Sequence, residues 1–204
     1  MITIVDYGLG NIKAFQNIYT QLNLDCVVAR DPDTLRNASK IILPGVGSFD
    51  FAMLSLYKSG MRETLDELVL TKHIPILGIC VGMQMFANSS DEGSVDGLGY
   101  VDGSVKRFSR EQLADYPLPH MGWNAVEQEG GKDHLFNNIP NAGRFYFLHS
   151  YYFECAQEVQ EIASAEYGVK FTCGVRKHNI YGIQFHPEKS HAAGISLLAN
   201  FGSM

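Results

Sequence analysis

The sequence predicts an α/β fold: an open, mostly parallel central sheet with helices on both faces, plus additional β-strands in the second half. Two observations lead to this fold class. In the first half, short apolar strands alternate with helical segments, a pattern typical of a parallel sheet covered on both faces. From Arg144 onward, short β-rich segments follow one another before a closing helix.

Length and composition bound the kind of protein. The 204 residues suit one domain with a sizeable core, and no internal repeat, low-complexity segment or linker divides them. We therefore expect residues 1–204 to form a single domain. Apolar residues at 46% and charged residues at 19% are typical of a soluble globular protein. The net charge of -6, without a basic run, argues against nucleic-acid binding.

The termini and the cysteines narrow the setting. The N-terminus lacks the basic head of a signal peptide, and no apolar stretch approaches a membrane span, so we expect a cytoplasmic protein without membrane association. The four cysteines form no C-x-x-C pair, which argues against a disulfide framework and against a zinc site. Three of them are predicted to fill the core: Cys26, Cys155 and Cys173.

The first half is predicted to contain three strands before its central motif. They cover residues 2–5, 26–29 and 40–43. After a loop at residues 6–11, four apolar side chains fall on one helical face: Ile12, Phe15, Tyr19 and Leu22. Asp31 and Pro32 predict a turn, and Ser48 is predicted to cap a helix that ends at residues 59–60. A further predicted helix carries Leu65, Leu68 and Val69.

One short stretch carries the strongest signal for chemistry. Residues 74–79 predict a buried strand and residues 81–87 a helix. Gly78 and Gly82 flank Cys80 two residues to either side, which is the pattern of a nucleophile elbow. The positive end of the following helix would favour the thiolate. The alternative is a small buried cysteine at a strand end, but the two spaced glycines favour a reactive thiol.

The second half is predicted to be rich in strands. Residues 91–103 contain many Gly, Asp and Ser residues and predict a loop with short strand pieces, and residues 117–119 predict a further break. The predicted strands cover residues 145–148, 152–155, 162–167, 172–176 and 180–185. A closing helix is predicted at residues 190–201.

A cysteine nucleophile needs a base, and the base needs a group that orients it. His186 ends a predicted strand and precedes Pro187, at the edge where open α/β sheets bind their ligands. Glu188 lies two residues on, across a proline that stiffens the backbone. Glu188 would accept from one imidazole nitrogen while the other faces Cys80. The alternative is a surface histidine followed by a glutamate at a helix start, and the elbow favours the triad.

Acyl transfer also needs donors for the oxyanion. The backbone amide of Val81, directly after the cysteine, is one candidate. The second is the segment Gly45, Val46 and Gly47 at another strand end, because its glycines allow the backbone to present an N–H or to turn it away. The alternative is a tight strand-to-helix turn.

Taken together, these motifs resemble those of the class I (triad) glutamine amidotransferases, which have a flavodoxin-like fold. The segments that carry the resemblance are residues 44–47 (PGVG), 78–84 (GICVGMQ) and 184–190 (QFHPEKS). Three more are similar to the glutaminase subunits of imidazole glycerol phosphate synthase: residues 6–11 (DYGLGN), 119–124 (PHMGWN) and 146–151 (YFLHSY). The similarity spans the chain, and no motif position departs from the pattern.

The resemblance implies a role for each site residue. Cys80 would attack the side-chain amide of L-glutamine, giving a γ-glutamyl thioester and ammonia, and water would hydrolyse the thioester to glutamate. His186 would move the proton and Glu188 would orient His186. The residues implied in holding glutamine and its oxyanion are Gly45, Val46, Gly47, Val81, Gln84, Ser150 and Tyr151.

The resemblance also implies a heterodimer with a (β/α)8-barrel cyclase subunit. Ammonia would pass to that subunit without reaching solvent and react with N'-phosphoribulosyl-formimino-aminoimidazole carboxamide ribonucleotide. The products would be imidazole glycerol phosphate, for histidine biosynthesis, and an aminoimidazole carboxamide ribonucleotide. No metal or organic cofactor is implied. We expect the oxyanion segment to rest incomplete until the partner's ligand binds.

The sequence supports a partner surface only modestly. Trp123, the sole tryptophan, stands near Met121 in a segment that we interpret as a loop. An exposed Trp–Met cluster is typical of a binding hot spot, whereas a buried one belongs to a core. The residues assigned to the subunit interface, mainly by the resemblance, are Asn11, His120, Met121, Trp123, Asn124, Tyr146 and Lys189.

Three other functions stay open from the sequence. The chain could be a paralogue that delivers ammonia to a different synthase, for example in sugar amidination, with the same triad. It could be a thiol protein or peptidase of the same fold, which would form no thioester from glutamine. It could also be a binding subunit that keeps the elbow as a scaffold, in which case Cys80→Ser would leave its activity unchanged.

Overall fold

The computed structural model describes residues 1–113, 115–129 and 133–204. In that part of the chain, twelve strands belong to one sheet. The strands are β1 Ile2–Val5, β2 Cys26–Ala29, β3 Lys40–Gly45, β4 Ile76–Cys80, β5 Ser89–Ser90, β6 Gly103–Arg107, β7 His120–Gln128, β8 Gly143–His149, β9 Tyr151–Cys155, β10 Glu161–Tyr167, β11 Val169–Lys177 and β12 Ile180–Ile183. The helices are α1 Ile12–Gln21, α2 Pro32–Leu35, α3 Phe49–Lys58, α4 Arg62–Asp66, α5 Val81–Gln84, α6 Arg110–Leu113 and α7 His191–Ser203.

One side of the sheet is parallel, in the order β2-β1-β3-β4-β12. The other side continues through the antiparallel strands β11, β10, β7 and β8. The predicted α/β class is confirmed, and the additional strands of the second half extend the central sheet. The strand that joins the two sides is β12, which lies parallel to β4 with Gly182 opposite Gly78.

The core is one cluster of apolar side chains from the sheet and its helices. On α1, Phe15 and Tyr19 are buried, and Ile12 and Leu22 are half-buried against the same core, so the predicted apolar face is the packed one. The predicted core cysteines are free thiols: Cys173 is buried, and Cys26 and Cys155 are half-buried against the cluster. Among the described residues, no helix combines the length and apolarity needed to cross a membrane.

The parallel strands bring the candidate segments to one edge. Parallel neighbours end at the same edge of a sheet, so the carboxyl ends of β3, β4 and β12 lie side by side. Gly45 at the end of β3 is the register partner of Cys80 at the end of β4. His186 follows β12 by three residues, on the other side of β4.

Three predictions in the first half were wrong in detail. Asp31 begins the short helix α2 instead of a turn, because its carboxylate accepts a hydrogen bond from the Thr34 amide at 2.8 Å. Ser48 occupies the N-cap position of α3, but its side chain makes no capping bond; the Glu92 carboxylate accepts from the Phe49 amide at 2.8 Å instead. The helix predicted at residues 81–87 ends at Gln84, and the carbonyls of residues 85–87 accept from the loop at residues 98–101.

The largest correction concerns the segment around Trp123, which is strand β7 and not a loop. In the pairing of β7 with β8, Met121 lies opposite Leu148 and Trp123 opposite Tyr146. Met121 and Trp123 alternate with His120, Gly122 and Asn124, but here the apolar side chains are exposed and His120 is buried, the reverse of the usual pattern of a half-buried strand. Strand β6 was also not predicted.

The packing of α5 against β3 requires glycine at position 82. A Cβ atom built on Gly82 would lie 1.9 Å from the carbonyl oxygen of Leu43, and backbone on both sides prevents relief by a side-chain shift. The same contact fixes the start of α5 next to the end of β3, and therefore the place of Cys80.

We predict that Gly82→Ala lowers the free energy of unfolding by about 1–3 kcal/mol or more, because the added methyl group forces backbone apart. Equilibrium urea unfolding measures this change. Gly202→Ala is the matched control: its added Cβ would meet the tip of the Leu24 side chain at 2.7 Å, which can move. Equal stability of the two variants would contradict the assignment of a tight backbone contact at Gly82.

Candidate active site

Cys80 sits on the turn between β4 and α5. Its φ of 56° and ψ of −114° are values that residues other than glycine rarely adopt, so the backbone is strained there. The side chain is buried, at 4% exposure. Because α5 has four residues, its dipole can contribute little to a thiolate. The geometry is that of a nucleophile elbow. A negative charge on the sulfur would therefore have to be stabilised by neighbouring side chains.

His186 is fixed by strand β8, which is remote from it in sequence. Its backbone amide donates to the Tyr146 carbonyl at 2.8 Å. Ser190 closes the turn, because its hydroxyl accepts from the Tyr146 amide at 3.0 Å and donates to the His186 carbonyl at 2.6 Å. The His-Pro-Glu segment is therefore held at its base, which limits where the imidazole can point.

The structure brings Cys80, His186 and Glu188 together. His186 Nδ1 donates to Glu188 Oε1 at 2.9 Å, and the two side chains are 5% and 3% exposed. In the described part of the chain, Glu188 Oε2 is buried without a hydrogen-bond partner, so the imidazole is the group that compensates this carboxylate. The remaining nitrogen, Nε2, is left for Cys80, which lines the same cavity as His186 and contributes to raising the pKa of His186.

These partners set the protonation of His186. Burial by itself lowers the pKa of His186, but the hydrogen bonds with Cys80 and Glu188 outweigh it and raise the pKa to about 10. The imidazole is therefore protonated at neutral pH. An imidazolium beside a cysteine favours the thiolate, which is the nucleophilic form.

A cavity of about 300 Å³ lies over Cys80 and His186. Its size suits a small ligand. The predicted substrate-binding residues that line it are Val46, Gly47, Val81, Gln84, Ser150 and Tyr151. Glu92 lines it too, and sequence reasoning missed it. A larger cavity, of about 1070 Å³, is lined by Glu129 and Glu161 and by no triad residue, so volume does not identify the site.

The segment predicted to form the oxyanion site lies beside Cys80. Gly45 is buried as the register partner of Cys80 and, unlike Val46 and Gly47, does not line the cavity. Val46 is exposed, and Gly47 has a φ of 90°, so the chain leaves the sheet at this point. Tyr7 anchors the start of the segment, because its buried hydroxyl donates to the Pro44 carbonyl at 2.8 Å. Sequence reasoning did not find Tyr7, since only the fold brings it to Pro44.

Gln84 and Gln184 form a buried polar contact next to the sulfur. Gln84 Nε2 donates to the Tyr151 carbonyl at 3.2 Å and to Gln184 Oε1 at 2.9 Å. Gln184 Nε2 lies 3.7 Å from Cys80 Sγ. Gln184 stood within a recognised motif, but nothing in its sequence position indicated that its side chain faces the cysteine.

A pair of buried histidines, of which His149 also lines the cavity, continues this network. The Tyr151 carbonyl can only accept, so His149 Nδ1 donates to it at 2.8 Å. His149 Nε2 must then accept from His120 Nδ1, at 2.9 Å. His120 Nε2 in turn accepts from Asn124 Nδ2 at 3.3 Å. Each ring uses one donor and one acceptor, which requires both to be neutral.

The pKa values agree with this hydrogen-bond pattern. Burial lowers the pKa of His120 to about 4. Burial, followed by the charge of His120, lowers the pKa of His149 to about 3. His120 is therefore an internal residue, and its side chain does not reach a partner directly, although it lies beneath residues assigned to the interface.

The other residues assigned to an interface are at or near the surface. Met121 and Trp123 are 63% and 39% exposed on β7, and Trp123 stacks on His191 with ring centroids 5.1 Å apart. Lys189 Nζ lies 5.6 Å from the centre of the half-buried Tyr146 ring. Asn11, in the loop after β1, is exposed. Asn124 is half-buried, and its Nδ2 donates to the Glu166 carbonyl at 2.8 Å. Among the described residues, no group of three or more His, Cys, Asp or Glu side chains is placed to hold a metal ion.

The sequence matches the family model described as "Glutamine amidotransferase class-I" over residues 3–203. Curated relatives named "Imidazole glycerol phosphate synthase subunit HisH" include those of Bdellovibrio bacteriovorus and Leptospira borgpetersenii. They are 55% and 50% identical, and each alignment covers 100% of both chains. A relative from Methanococcus maripaludis, named "Imidazole glycerol phosphate synthase subunit HisH 2", is 42% identical over 98% of both chains.

Solved structures share the fold at low identity. A crystal structure titled glutamine amidotransferase has a TM-score of 0.76 and 16% identity, covering 100% of this chain and 99% of that one. The structure of PurLQS from Thermotoga maritima has a TM-score of 0.71 and 17% identity, covering 98% of this chain and 96% of that one. These similarities support the fold alone.

The histidine pair predicts loss of stability in mild acid. In the unfolded chain each histidine takes up a proton near its ordinary pKa of about 6.5, whereas the folded protein excludes that proton down to about pH 4 or 3. Their stabilising contribution is therefore present above about pH 6.5 and declines as the pH falls, by about 1–2 kcal/mol per histidine at pH 5.

Urea unfolding at pH 7.5 and pH 5.0 measures this loss. Between pH 7.5 and pH 5.0, we expect the free energy of unfolding of His120→Gln to fall by about 1 kcal/mol less than that of the wild type. The same substitution at the exposed His134 is the control and keeps the wild-type difference. If His120→Gln also keeps the wild-type difference, His120 does not have the lowered pKa.

Proposed function

This chain belongs to the class I glutamine amidotransferases, and on that premise we propose that Cys80, His186 and Glu188 hydrolyse L-glutamine to glutamate and ammonia. Its relatives identify it as a glutaminase subunit of imidazole glycerol phosphate synthase, an enzyme of histidine biosynthesis. The observation that carries the mechanism is the buried contact of the three side chains under a cavity of about 300 Å³. We propose that residues 1–204 act as one domain.

In the first half of the reaction, the Cys80 thiolate attacks the side-chain amide carbon of glutamine. The carbonyl oxygen takes up the electron pair, and the Val81 amide together with the segment Gly45, Val46 and Gly47 would supply donors to it. The C–N bond then breaks. The His186 imidazolium gives the proton on Nε2 to the departing nitrogen, which leaves as ammonia and a γ-glutamyl thioester.

In the second half, the now neutral His186 accepts a proton from water as the water attacks the thioester carbon. The C–S bond breaks, the sulfur leaves as thiolate, and His186 keeps the proton. The free γ-carboxyl group of the product loses its own proton to solvent. Glu188 holds the imidazole by Nδ1 throughout, which keeps Nε2 toward the reacting atoms.

Glu92 is our candidate for recognition of the glutamine backbone. It lines the cavity, and one of its carboxylate oxygens already accepts from the Phe49 amide at 2.8 Å, which fixes its position. A fixed carboxylate at the cavity suits the α-ammonium group of an amino acid. Gln84 and the backbone of Ser150 and Tyr151 line the same cavity and would hold the rest of the substrate.

The surface beside the cavity supports docking of the cyclase subunit. Leu148 lines the cavity and is the register partner of the exposed Met121, and Trp123 follows on the same strand. An exposed Trp and Met with a cation nearby, here Lys189, are typical of an interface hot spot. A (β/α)8-barrel cyclase seated on Met121 and Trp123 would cover the cavity, so that ammonia passes to it without reaching solvent. There it would react with N'-phosphoribulosyl-formimino-aminoimidazole carboxamide ribonucleotide.

We predict that the isolated chain has very low glutaminase activity, which rises at least tens of fold when the cyclase and its nucleotide are both added. The absence of one oxyanion donor lowers the rate about a hundredfold or more. Binding of the partner would supply the missing donor. Glutamate formation measures the effect. Cys80→Ala should show no rise, and Cys26→Ala is the control. Full turnover by the chain alone would contradict this regulation, and turnover by Cys80→Ala would contradict the triad.

We further predict that Glu92→Gln raises the KM for glutamine about tenfold or more and changes kcat far less. The reason is that the variant lacks the carboxylate that would hydrogen-bond to the α-ammonium group of the bound substrate. The glutamine side chain introduced at position 92 keeps a carbonyl oxygen that can accept from the Phe49 amide, so α3 stays capped. Steady-state kinetics with cyclase and nucleotide present separate the two constants, and the exposed Glu63→Gln is the control. An unchanged KM would exclude Glu92 from substrate recognition.

A further inference from the structure

We propose that Gln184 is a direct hydrogen-bond donor to the Cys80 sulfur, which stabilises the thiolate before attack and again when it leaves the thioester. The inference rests on the proposed function, because it takes Cys80 as the nucleophile. It adds to the triad a fourth side chain that touches a reacting atom.

The position of Gln184 is set by the backbone. The residue directly follows β12, and its amide donates to the Cys173 carbonyl on β11 at 2.9 Å. Its side chain is fully buried, at 0% exposure. Gln184 Nε2 lies 3.7 Å from Cys80 Sγ, a hydrogen-bond distance for the larger sulfur atom. A buried amide needs partners for its polar atoms, and here the sulfur is one of them.

The orientation of the Gln184 amide follows from its neighbours. The Tyr151 carbonyl can only accept, so the Gln84 atom that faces it must be the donor Nε2. The same Nε2 lies 2.9 Å from Gln184, which must therefore present its oxygen there. A reversed amide would place two donors against each other. Nε2 of Gln184 is left on the other side, toward Cys80.

The contacts of the sulfur differ between its two protonation states. As a thiol, Cys80 can donate to the Leu148 carbonyl, at a long 3.9 Å. As a thiolate, it can accept from Gln184 and from His186. Donors to the charged form of a group favour that form. Gln184 therefore acts together with the imidazolium, and it keeps its proton throughout, so that it stabilises the sulfur in both half-reactions.

The test follows alkylation of Cys80 in the full chain by iodoacetamide between pH 5 and 10, with the labelled peptide identified by mass spectrometry. Gln184→Met keeps the size of the side chain and removes the donor. We expect its alkylation to be about tenfold slower on the rising part of the pH profile, with the half-maximal rate about one pH unit higher. With cyclase and nucleotide present, kcat should fall and KM should change little.

Gln184→Glu is the second variant, because its carboxylate still accepts from Gln84 but faces the sulfur with negative charge. It should shift the profile at least as far as Gln184→Met does. Gln160→Met, at a buried glutamine outside the cavity lining, is the matched control and should keep the wild-type profile. Thermal unfolding of each variant is measured alongside, to establish that it is folded.

The outcomes separate the two proposals. If both folded Gln184 variants keep the wild-type alkylation profile and kcat while Cys80→Ala is inactive, the role of Gln184 is refuted and the glutaminase assignment stands. A loss of thermal stability without a shift of the alkylation profile also refutes the role of Gln184, because removal of a purely structural side chain would lower stability and leave the profile unchanged. If Cys80→Ala still hydrolyses glutamine, both proposals fall.

Discussion

The structure depends on the backbone contact between α5 and the end of β3. Gly82 meets the Leu43 carbonyl so closely that no side chain fits between them, and this contact holds the chain in its sharp turn at Cys80. A cysteine with a φ of 56° would relax in a looser environment. Here the neighbouring parallel strands and the short helix prevent relaxation, so the thiol is presented at the edge where β3 and β12 also end.

A second constraint is the small number of partners available to buried polar groups. Glu188 is compensated chiefly by His186, and His186 is held between that carboxylate and the sulfur. The Tyr151 carbonyl accepts from Gln84 on one side and from His149 on the other. Donor and acceptor roles are therefore determined by neighbours, and one continuous set of hydrogen bonds runs from Asn124 to the Cys80 sulfur. Such a network holds its members rigidly because each lost partner leaves a buried polar atom unsatisfied.

The antiparallel strands add an exposed apolar surface to the parallel sheet. Strands β7 and β8 carry exposed apolar side chains on the outside and the His120–His149 pair beneath them. Strand β8 also holds the His186 turn through Tyr146. The same strand pair thus supports the His186 turn and borders the cavity, so the proposed substrate site and the proposed docking surface lie on connected elements.

The sequence by itself determined the α/β class, most strand positions and the nucleophile elbow, because these follow from local patterns: apolar runs, helical periodicity and the spacing of Gly78, Cys80 and Gly82. It also singled out His186 and Glu188, which are close in sequence. Tertiary structure alone decided the contacts of Tyr7 with Pro44, of Gln184 with Cys80 and of His120 with His149, since each joins residues on different elements. It also decided that residues 120–128 form a strand, because pairing with β8 stabilises an extended segment in which Met121 and Trp123 are exposed and His120 is buried.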